Sequence, residues 1–309
     1  MKNLTLSIMP SYKCNFKCQY CYLGDLIQND NLLNLENLES SLLELKQLYN
    51  IKNVSLYGGE LSLLDNVYLQ HLVDLIKIKL PKSSISLTSN FSNENILTFC
   101  LLNNIKLNVS LNEERYQYSK TLQQIKKYTG TKLFDLTVVV LPSIINKHTN
   151  ELYKFYNDLG FDVFFIQHHN SIHQKSYSIS LDQFSKFLYD FICYHSMQPD
   201  SKFKIENLNV LNDTEFNPNT ESYLFINPNG KYCTTVFKDN IEHYVTFDNL
   251  QQWQTFCEKS YQMYENSCST CKFFNRCKAE HLETLNNDNE CSGLKNLLTS
   301  LQNRSIVNL

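Results

Sequence analysis

Strand-like and helix-like patterns alternate along the first two thirds of this chain. Short runs rich in β-branched and aromatic residues recur at 4–9, 53–57, 84–89, 105–111, 133–141 and 161–167. Apolar residues at helical spacing fill most of the gaps between them. Six such strand–helix units are too few to close an eight-stranded barrel. With right-handed crossovers they predict an α/β fold, a partial (β/α)6 barrel in which a curved parallel sheet carries helices on its outside. In such a sheet the loops at the carboxyl ends of the strands carry the chemistry, so the segments after the first and second strands share one rim.

Beyond residue 200 the rhythm changes. "YLFINPNGKYCTTV" (223–236) reads as a β-hairpin turned by Asn-Pro-Asn-Gly, followed by a helix near 248–264 and then a cysteine-rich stretch. The break, between 198 and 222, predicts two units: a partial-barrel domain over 1–200 and a smaller domain over 201–309. No apolar run approaches the ~20 residues of a membrane span. The opening "MKNLTLSIMPSYKC" has too short an apolar part, and no small residues before its cysteine, to be a signal. A cytoplasmic protein without a membrane partner is expected.

Composition adds two points. A net charge of −3 over 309 residues leaves no footprint for nucleic acid, and basic stretches such as "KIKLPK" (77–82) are short and diluted. The chain has one alanine, three arginines and seven glycines, a bias that A/T-rich codons produce. Each glycine is therefore informative, and Gly58 and Gly59 are adjacent.

Nine of the 11 cysteines fall in two groups at opposite ends, while Cys100 and Cys193 sit alone on apolar helical stretches and read as small buried hydrophobes. The first group is "CNFKCQYCYLGD" (14–25), which places Cys14, Cys18 and Cys21 on one short loop after the first strand. A 4Fe-4S cube takes one thiolate per iron, so three thiolates leave one iron open to a small chelating molecule. An amine and a carboxylate, as on an amino acid, would suit it. Tyr20, beside the last cysteine, would shield the site or pack on an adenine. Zinc would need a fourth ligand nearby, and no Cys or His follows before His71.

This loop resembles the signature of the radical S-adenosylmethionine (radical SAM) superfamily, and further segments are similar in order along the chain. "LYGGE" (56–60) is similar to the family's Gly-Gly-Glu after strand two, with Leu61 where a proline is usual. The resemblance assigns Gly58, Gly59 and Glu60 to the amino group of the cosubstrate, glycine being suited to close approach. "LTSN" (87–90), with Thr88 and Asn90, looks like the segment after strand three. "VSLN" (109–112) looks like the family's Ser-Leu-Asp after strand four, with Asn112 in place of the aspartate; Ser110 would meet the ribose or the methionine carboxylate. The resemblance covers residues 1 to about 170. It implies a 4Fe-4S cluster on Cys14, Cys18 and Cys21, S-adenosyl-L-methionine as cosubstrate, and an electron donor such as flavodoxin or ferredoxin. It also implies reductive cleavage of the sulfonium to a 5'-deoxyadenosyl radical that takes hydrogen from an unactivated carbon, the protein supplying orientation and exclusion of water.

Of the six in the second group, Cys268, Cys271, Cys277 and Cys291 resemble the C-terminal auxiliary-cluster domain called SPASM, or its shorter relative the twitch domain. In that family these four bind one 4Fe-4S cluster, and a further cysteine belongs to another. At the further position this chain has His281, and upstream only Cys233 matches. One auxiliary 4Fe-4S cluster is therefore expected, with four-cysteine zinc as the alternative that spacing alone also satisfies. Cys233 reads equally as a stray ligand, a core residue or a thiol that returns hydrogen to a substrate radical. Cys257 reads as core. His168, His169 and His173 follow the sixth strand and would either orient substrate or stay solvated.

Relatives with this C-terminal domain act mostly on peptides, so the resemblance implies a ribosomally made peptide with a leader sequence. Carbon-carbon or thioether crosslinking is the first expectation. Epimerisation with Cys233 as hydrogen donor, and oxidation of Ser or Cys to formylglycine, are the alternatives. The cluster loop begins at residue 14, which leaves no room before it for a leader-binding domain. The leader is expected to add to a sheet edge or to use a separate leader-binding protein. A non-enzymatic, metal-bearing scaffold that recruits a peptide is the reading from a different class, and it would release no 5'-deoxyadenosine.

Overall fold

In β1 (Lys2–Ile8) the residues Leu4, Leu6 and Ile8 are buried and alternate with Thr5 and Ser7, so one face of the strand is apolar and the other polar. The same alternation recurs along the sheet and sets the architecture of this computed structural model. It describes residues 1–168, 176–213, 221–234, 245–277 and 294–306.

After β1 the chain runs through α1 (Leu35–Leu48), β2 (Tyr49–Leu56), α2 (Asn66–Lys79), β3 (Ser84–Ser89), α3 (Asn95–Leu102), β4 (Lys106–Ser110) and α4 (Tyr118–Lys126). It continues with β5 (Asp135–Val140), α5 (Pro142–Ile145), α6 (Thr149–Leu159), β6 (Val163–Gln167), α7 (Leu181–Ser196) and α8 (Asn207–Asn212). Then follow β7 (Tyr223–Ile226), β8 (Tyr232–Cys233), β9 (Thr246–Phe247), α9 (Leu250–Cys268) and α10 (Leu294–Asn303).

The strands form one sheet in the order β6-β5-β4-β3-β2-β1-β7-β8-β9. β1 to β6 are parallel, as the six strand–helix units predict, and β7 adds parallel to β1 on its other side. β8 and β9 are antiparallel additions. The predicted hairpin is present: Asn227 accepts the amides of Asn229 and Lys231 on its side chain and closes the turn between β7 and β8. The helix expected near 248–264 runs on to Cys268.

Helices cover the apolar face. Leu69, Leu72, Val73 and Ile76 of α2 repeat at helical spacing and join Leu38, Leu42 and Leu45 of α1 in the core. Asn34 and Asp65 cap these two helices, and Ser180 with Gln183 forms a capping box on α7. α10 returns to lie on α7, burying Leu294, Leu297, Leu298 and Leu301. The core cluster that begins with Leu4 and Leu6 also takes in Leu224, Trp253 and Leu298, so it is continuous across the expected division near residue 200.

The second strand starts four residues earlier than its pattern suggests. Leu4 pairs with Ile51 and Thr5 with Asn53, so Lys52 is an extra residue, a bulge that breaks the alternation on which the reading depended. No helix among the described residues is long and apolar enough to cross a membrane.

Candidate active site at the three-cysteine loop

The chain leaving β1 is fixed before it reaches Cys14. The Met9 amide donates to the Ile226 carbonyl of β7 at 2.8 Å, and the Leu33 amide to Pro10 at 2.8 Å. On the other side the segment after β2 runs alongside: Gly59 N–H donates to the Ser11 carbonyl at 2.9 Å, and Glu60 N–H to Lys13 at 2.8 Å. The two glycines make this approach possible. A Cβ on Gly58, whose φ is +145°, would sit 2.5 Å from the Ser11 carbonyl oxygen, and one on Gly59 would overlap the Lys13 and Tyr12 carbonyl oxygens. The sequence reading assigned this freedom to a ligand; in the structure the entry to the cysteine loop uses it.

Glu60 is buried, with 2% exposure. Its Oε1 accepts from Ser89 Oγ at 2.6 Å and from Ser62 N–H at 3.0 Å, and its Oε2 accepts from Asn90 N–H at 2.5 Å. Three of roughly four acceptor sites are thus committed to the segments after β2 and β3. Asn90 carries the connection onward. Its side-chain amide donates to Asn15 Oδ1 at 2.9 Å and faces Cys14 Sγ at 3.9 Å. Asn15 in turn donates to Ser92 Oγ at 2.9 Å.

The far side of the loop is held by β6. The carbonyl of Tyr20 can only accept, so His168 donates from Nε2 to it at 2.9 Å. Tyr177 donates to Gln19 Oε1 at 2.7 Å. The Tyr20 ring makes edge contacts with His168 at 6.4 Å and Tyr177 at 6.3 Å. His168 is therefore buried rather than solvated, and it ties the strand at one edge of the sheet to the loop after β1. His169 and His173 lie outside the described residues.

Arg115, five positions after Ser110, was not foreseen. Its Nη1 donates to the Ser110 carbonyl, its guanidinium carbon lies 5.9 Å from the Phe16 ring centre, and its buried Nε has no hydrogen-bond partner among the described residues. Burial works against its charge, but Tyr20, Cys18 and Glu60 favour it, and the guanidinium also meets the Cys18 side chain. The one hint in the sequence was its rarity, as one of three arginines.

Asn112 has two hydrogen bonds within the protein. Its amide donates to the Val139 carbonyl at 2.7 Å and its Oδ1 accepts from Glu114 N–H, which binds the loop after β4 to β5. Thr88 pairs in register with Asn108 on the polar face of the sheet, two residues before Ser110 in β4.

Cys14, Cys18 and Cys21 are all half-buried. Burial raises the pKa of Cys14 against the pull of the Phe16 amide, which donates to its sulfur at 3.4 Å, and pushes Cys21 up to about 11. Without a metal the Cys14 and Cys21 thiols keep their protons at neutral pH, and a metal must displace them. Among the described residues, no three Cys, His, Asp or Glu side chains are gathered to share a single metal ion. The donor set fits a cube, which takes one thiolate per iron. So do the clamped loop and the orphaned Nε of Arg115, a cation beside a site that collects thiolates.

In the second group Cys268 ends α9, the Cys271 amide donates to the Cys268 carbonyl at 2.9 Å, and Cys277 is buried. Tyr264 lies near Cys268 and Cys277 and its hydroxyl accepts from the Asn275 amide at 2.7 Å. Cys291 and His281 lie outside the described residues. Cys233 is fully buried on β8, in a small apolar cluster with Met9, Tyr12, Leu23 and Phe225 that Cys21 packs against. Its thiol points to the Lys231 carbonyl at 3.5 Å. Cys257 is buried on α9, as expected of a core residue.

Residues 8–132 match the family model of the 4Fe-4S single cluster domain. A cysteine-type anaerobic sulfatase-maturating enzyme of Clostridium novyi (strain NT) is 23% identical over 186 residues, 52% of this chain. That match spans only 50% of the relative's own length. Among solved structures, anSMEcpe with bound AdoMet and the Cp18Cys peptide superposes with a TM-score of 0.69 at 19% identity, covering 97% of this chain and 95% of the other. Streptococcus suis SuiB bound to its precursor peptide SuiA gives a TM-score of 0.65 at 16% identity, over 90% of this chain and 71% of SuiB. The chain thus carries a match to a 4Fe-4S cluster family model over its cysteine loop and shares the fold of these solved structures.

Proposed function

We propose that this chain is a radical SAM enzyme that modifies a ribosomally made peptide. The observation that carries the reading is the three-thiol loop, clamped on one side by the Gly58–Gly59–Glu60 and Ser89–Asn90 segments and on the other by His168. Cys14, Cys18 and Cys21 would hold a 4Fe-4S cluster, and S-adenosylmethionine would bind beside them. When bound, this pair supplies one-electron cleavage of the sulfonium and a carbon radical able to take hydrogen from the peptide.

The chain's own residues orient and enclose. Gly59 and Glu60 align the loop entry, and Asn90 fixes Cys14 against it. Ser7, Ser55, Thr88, Asn108 and Thr137 lie at the alternating positions left by the buried leucines and valines. They give the sheet a polar face of hydroxyls and amides, suited to a peptide's backbone groups. Cys268, Cys271 and Cys277, with Cys291, would hold one auxiliary 4Fe-4S cluster. A flavodoxin or ferredoxin would deliver the electron, and a leader segment would present the peptide. The peptides bound to anSMEcpe and SuiB support that substrate class.

Crosslinking of the peptide is the first reading. Formylglycine formation is the second, favoured by the sulfatase-maturating relative and by the higher TM-score of anSMEcpe. Epimerisation through Cys233 has little support, because the thiol is sealed in an apolar cluster.

After anaerobic reconstitution, about 8 irons per chain should fall to about 4 in the Cys14→Ala, Cys18→Ala, Cys21→Ala variant, with 5'-deoxyadenosine production lost. A wild-type chain that holds iron but releases no 5'-deoxyadenosine would sink the enzyme reading. Mass spectrometry of the product separates the two outcomes: a crosslink removes two hydrogens and keeps every heavy atom, whereas formylglycine from cysteine loses sulfur and gains oxygen.

A further inference from the structure

Arg115 is used by nothing in the function proposed above, yet it occupies the inner side of the cysteine loop. A guanidinium stays charged at any pH a protein survives. Placing one where its Nε is cut off from water and unpaired is costly unless a negative partner belongs nearby. The groups that face it are Cys18, Tyr20 and Glu60, with Cys14 and Cys21 within charge range. Of these, the Glu60 carboxylate already accepts three hydrogen bonds from Ser62, Ser89 and Asn90. A tyrosine hydroxyl is ordinarily neutral and offers no full charge. Glu60 therefore supplies charge but is held by other donors, and the negative partner left free to face the guanidinium is the loop's own sulfur, once it is a thiolate bound to iron. Phe16 under the guanidinium and the Ser110 carbonyl on Nη1 fix its direction from two sides.

We propose that Arg115 is a positioning residue that holds the Cys18 arm of the loop and, as a half-buried cation beside the cluster, raises its reduction potential. This rests on the reading that the loop holds a 4Fe-4S cluster. Reduction adds one electron and no proton to the site, so the site becomes one charge more negative. A fixed cation in a poorly hydrated setting stabilises that state over the oxidised one, and an N–H directed at a cluster sulfur acts in the same direction.

The test is a potentiometric titration of the reconstituted full chain with a low-potential chemical reductant, followed by electron paramagnetic resonance, with no S-adenosylmethionine added. Only the signal absent from the Cys14→Ala, Cys18→Ala, Cys21→Ala variant is followed. Arg115→Gln keeps a donor for Ser110 and a stem against Phe16 but loses the charge, and its midpoint should move to a more negative value. Arg115→Lys keeps the charge and should stay closer to wild type. An Arg115→Gln chain that folds but no longer loads iron at this loop, while Arg115→Lys does, supports the same role. An unchanged midpoint in Arg115→Gln overturns the proposal, as does a shift in Arg115→Lys as large as that in Arg115→Gln. So does an unchanged midpoint accompanied by lost S-adenosylmethionine binding, which would make Arg115 a cosubstrate ligand. Iron and sulfide content of the wild type tests the underlying cluster separately.

Discussion

Gly59 is the residue at which one methyl group would do most damage. A Cβ there meets two backbone carbonyls, Lys13 and Tyr12, which cannot rotate away as a side-chain tip can. Gly59→Ala should cost about 1–3 kcal/mol as an overpacked contact. It should also displace the loop entry, so that iron loading falls along with the thermal midpoint; normal iron content with a normal melt would show that the backbone gives way cheaply. Glycine's importance was legible in a chain that has so few, but its partner was not, because residues 11–13 reach Gly59 only through tertiary pairing. The same holds for Asn112, whose motif was visible and whose bonds to Val139 and Glu114 were not. The lone cysteines, Cys100 and Cys193, are buried as read, and Cys100 together with Cys257 carries a pH dependence. Burial pushes Cys100 and Cys257 up to about 12 from an ordinary value of 9.0. Above that value the unfolded chain gives up these protons first, so the folded chain binds more protons and stability falls as pH rises from 9 towards 12. Each thiol accounts for at most about 1.4 kcal/mol per pH unit in that window. Cys100→Val should therefore lose less of its urea midpoint than wild type between about pH 8 and about pH 10.5, and equal losses would refute the assignment.

At the scale of elements, strand-like runs located the first six parallel strands, and the largest early start, in β2, came with a bulge that no pattern encodes. What the pattern could not show was how the sheet's β6 edge is finished. Val163 bridges to Ile205, with its amide donating to Lys204 and its carbonyl accepting from Glu206. Beyond that point a side chain takes over: Asn207 Oδ1 accepts the Phe165 amide at 2.9 Å and its Nδ2 donates to the Phe165 carbonyl at 2.8 Å. One carboxamide thus stands in for a neighbouring strand and satisfies both buried backbone groups. On this edge the chain itself occupies the pairing positions from Val163 to Phe165. Asn207→Ala would leave both groups unpaired, at a cost of about 2–4 kcal/mol in urea unfolding. A loss below about 0.5 kcal/mol would mean that water or a neighbour replaces the amide easily. If the closed edge also keeps other strands away, the same variant should aggregate more readily during refolding.

Across the whole molecule, the change of rhythm near residue 200 suggested two units, yet β7 continues the parallel sheet beside β1 and the apolar core passes through both parts. A polar bolt crosses the same boundary. Tyr49 of β2 donates to Glu221 at 2.8 Å and accepts from Gln254 of α9 at 2.6 Å, while Lys2 of β1 pairs with Glu221 at 2.9 Å. The exposed end of that ion pair contributes little, but the buried aromatic contact beneath it, Tyr49 against Trp253 at 6.0 Å, adds packing that two loosely docked domains would lack. Trp253 is the chain's single tryptophan, fully buried on α9 in the C-terminal part, whereas most helix and strand lies before residue 200. Tryptophan fluorescence therefore reports the C-terminal part and far-ultraviolet circular dichroism mainly the N-terminal part. Because breaking one part exposes the core of the other, the two signals should show the same urea midpoint within error in the metal-free chain. Midpoints that separate, with fluorescence changing first, would mean that the C-terminal part comes away from an intact partial barrel and that the shared core is too small to couple them.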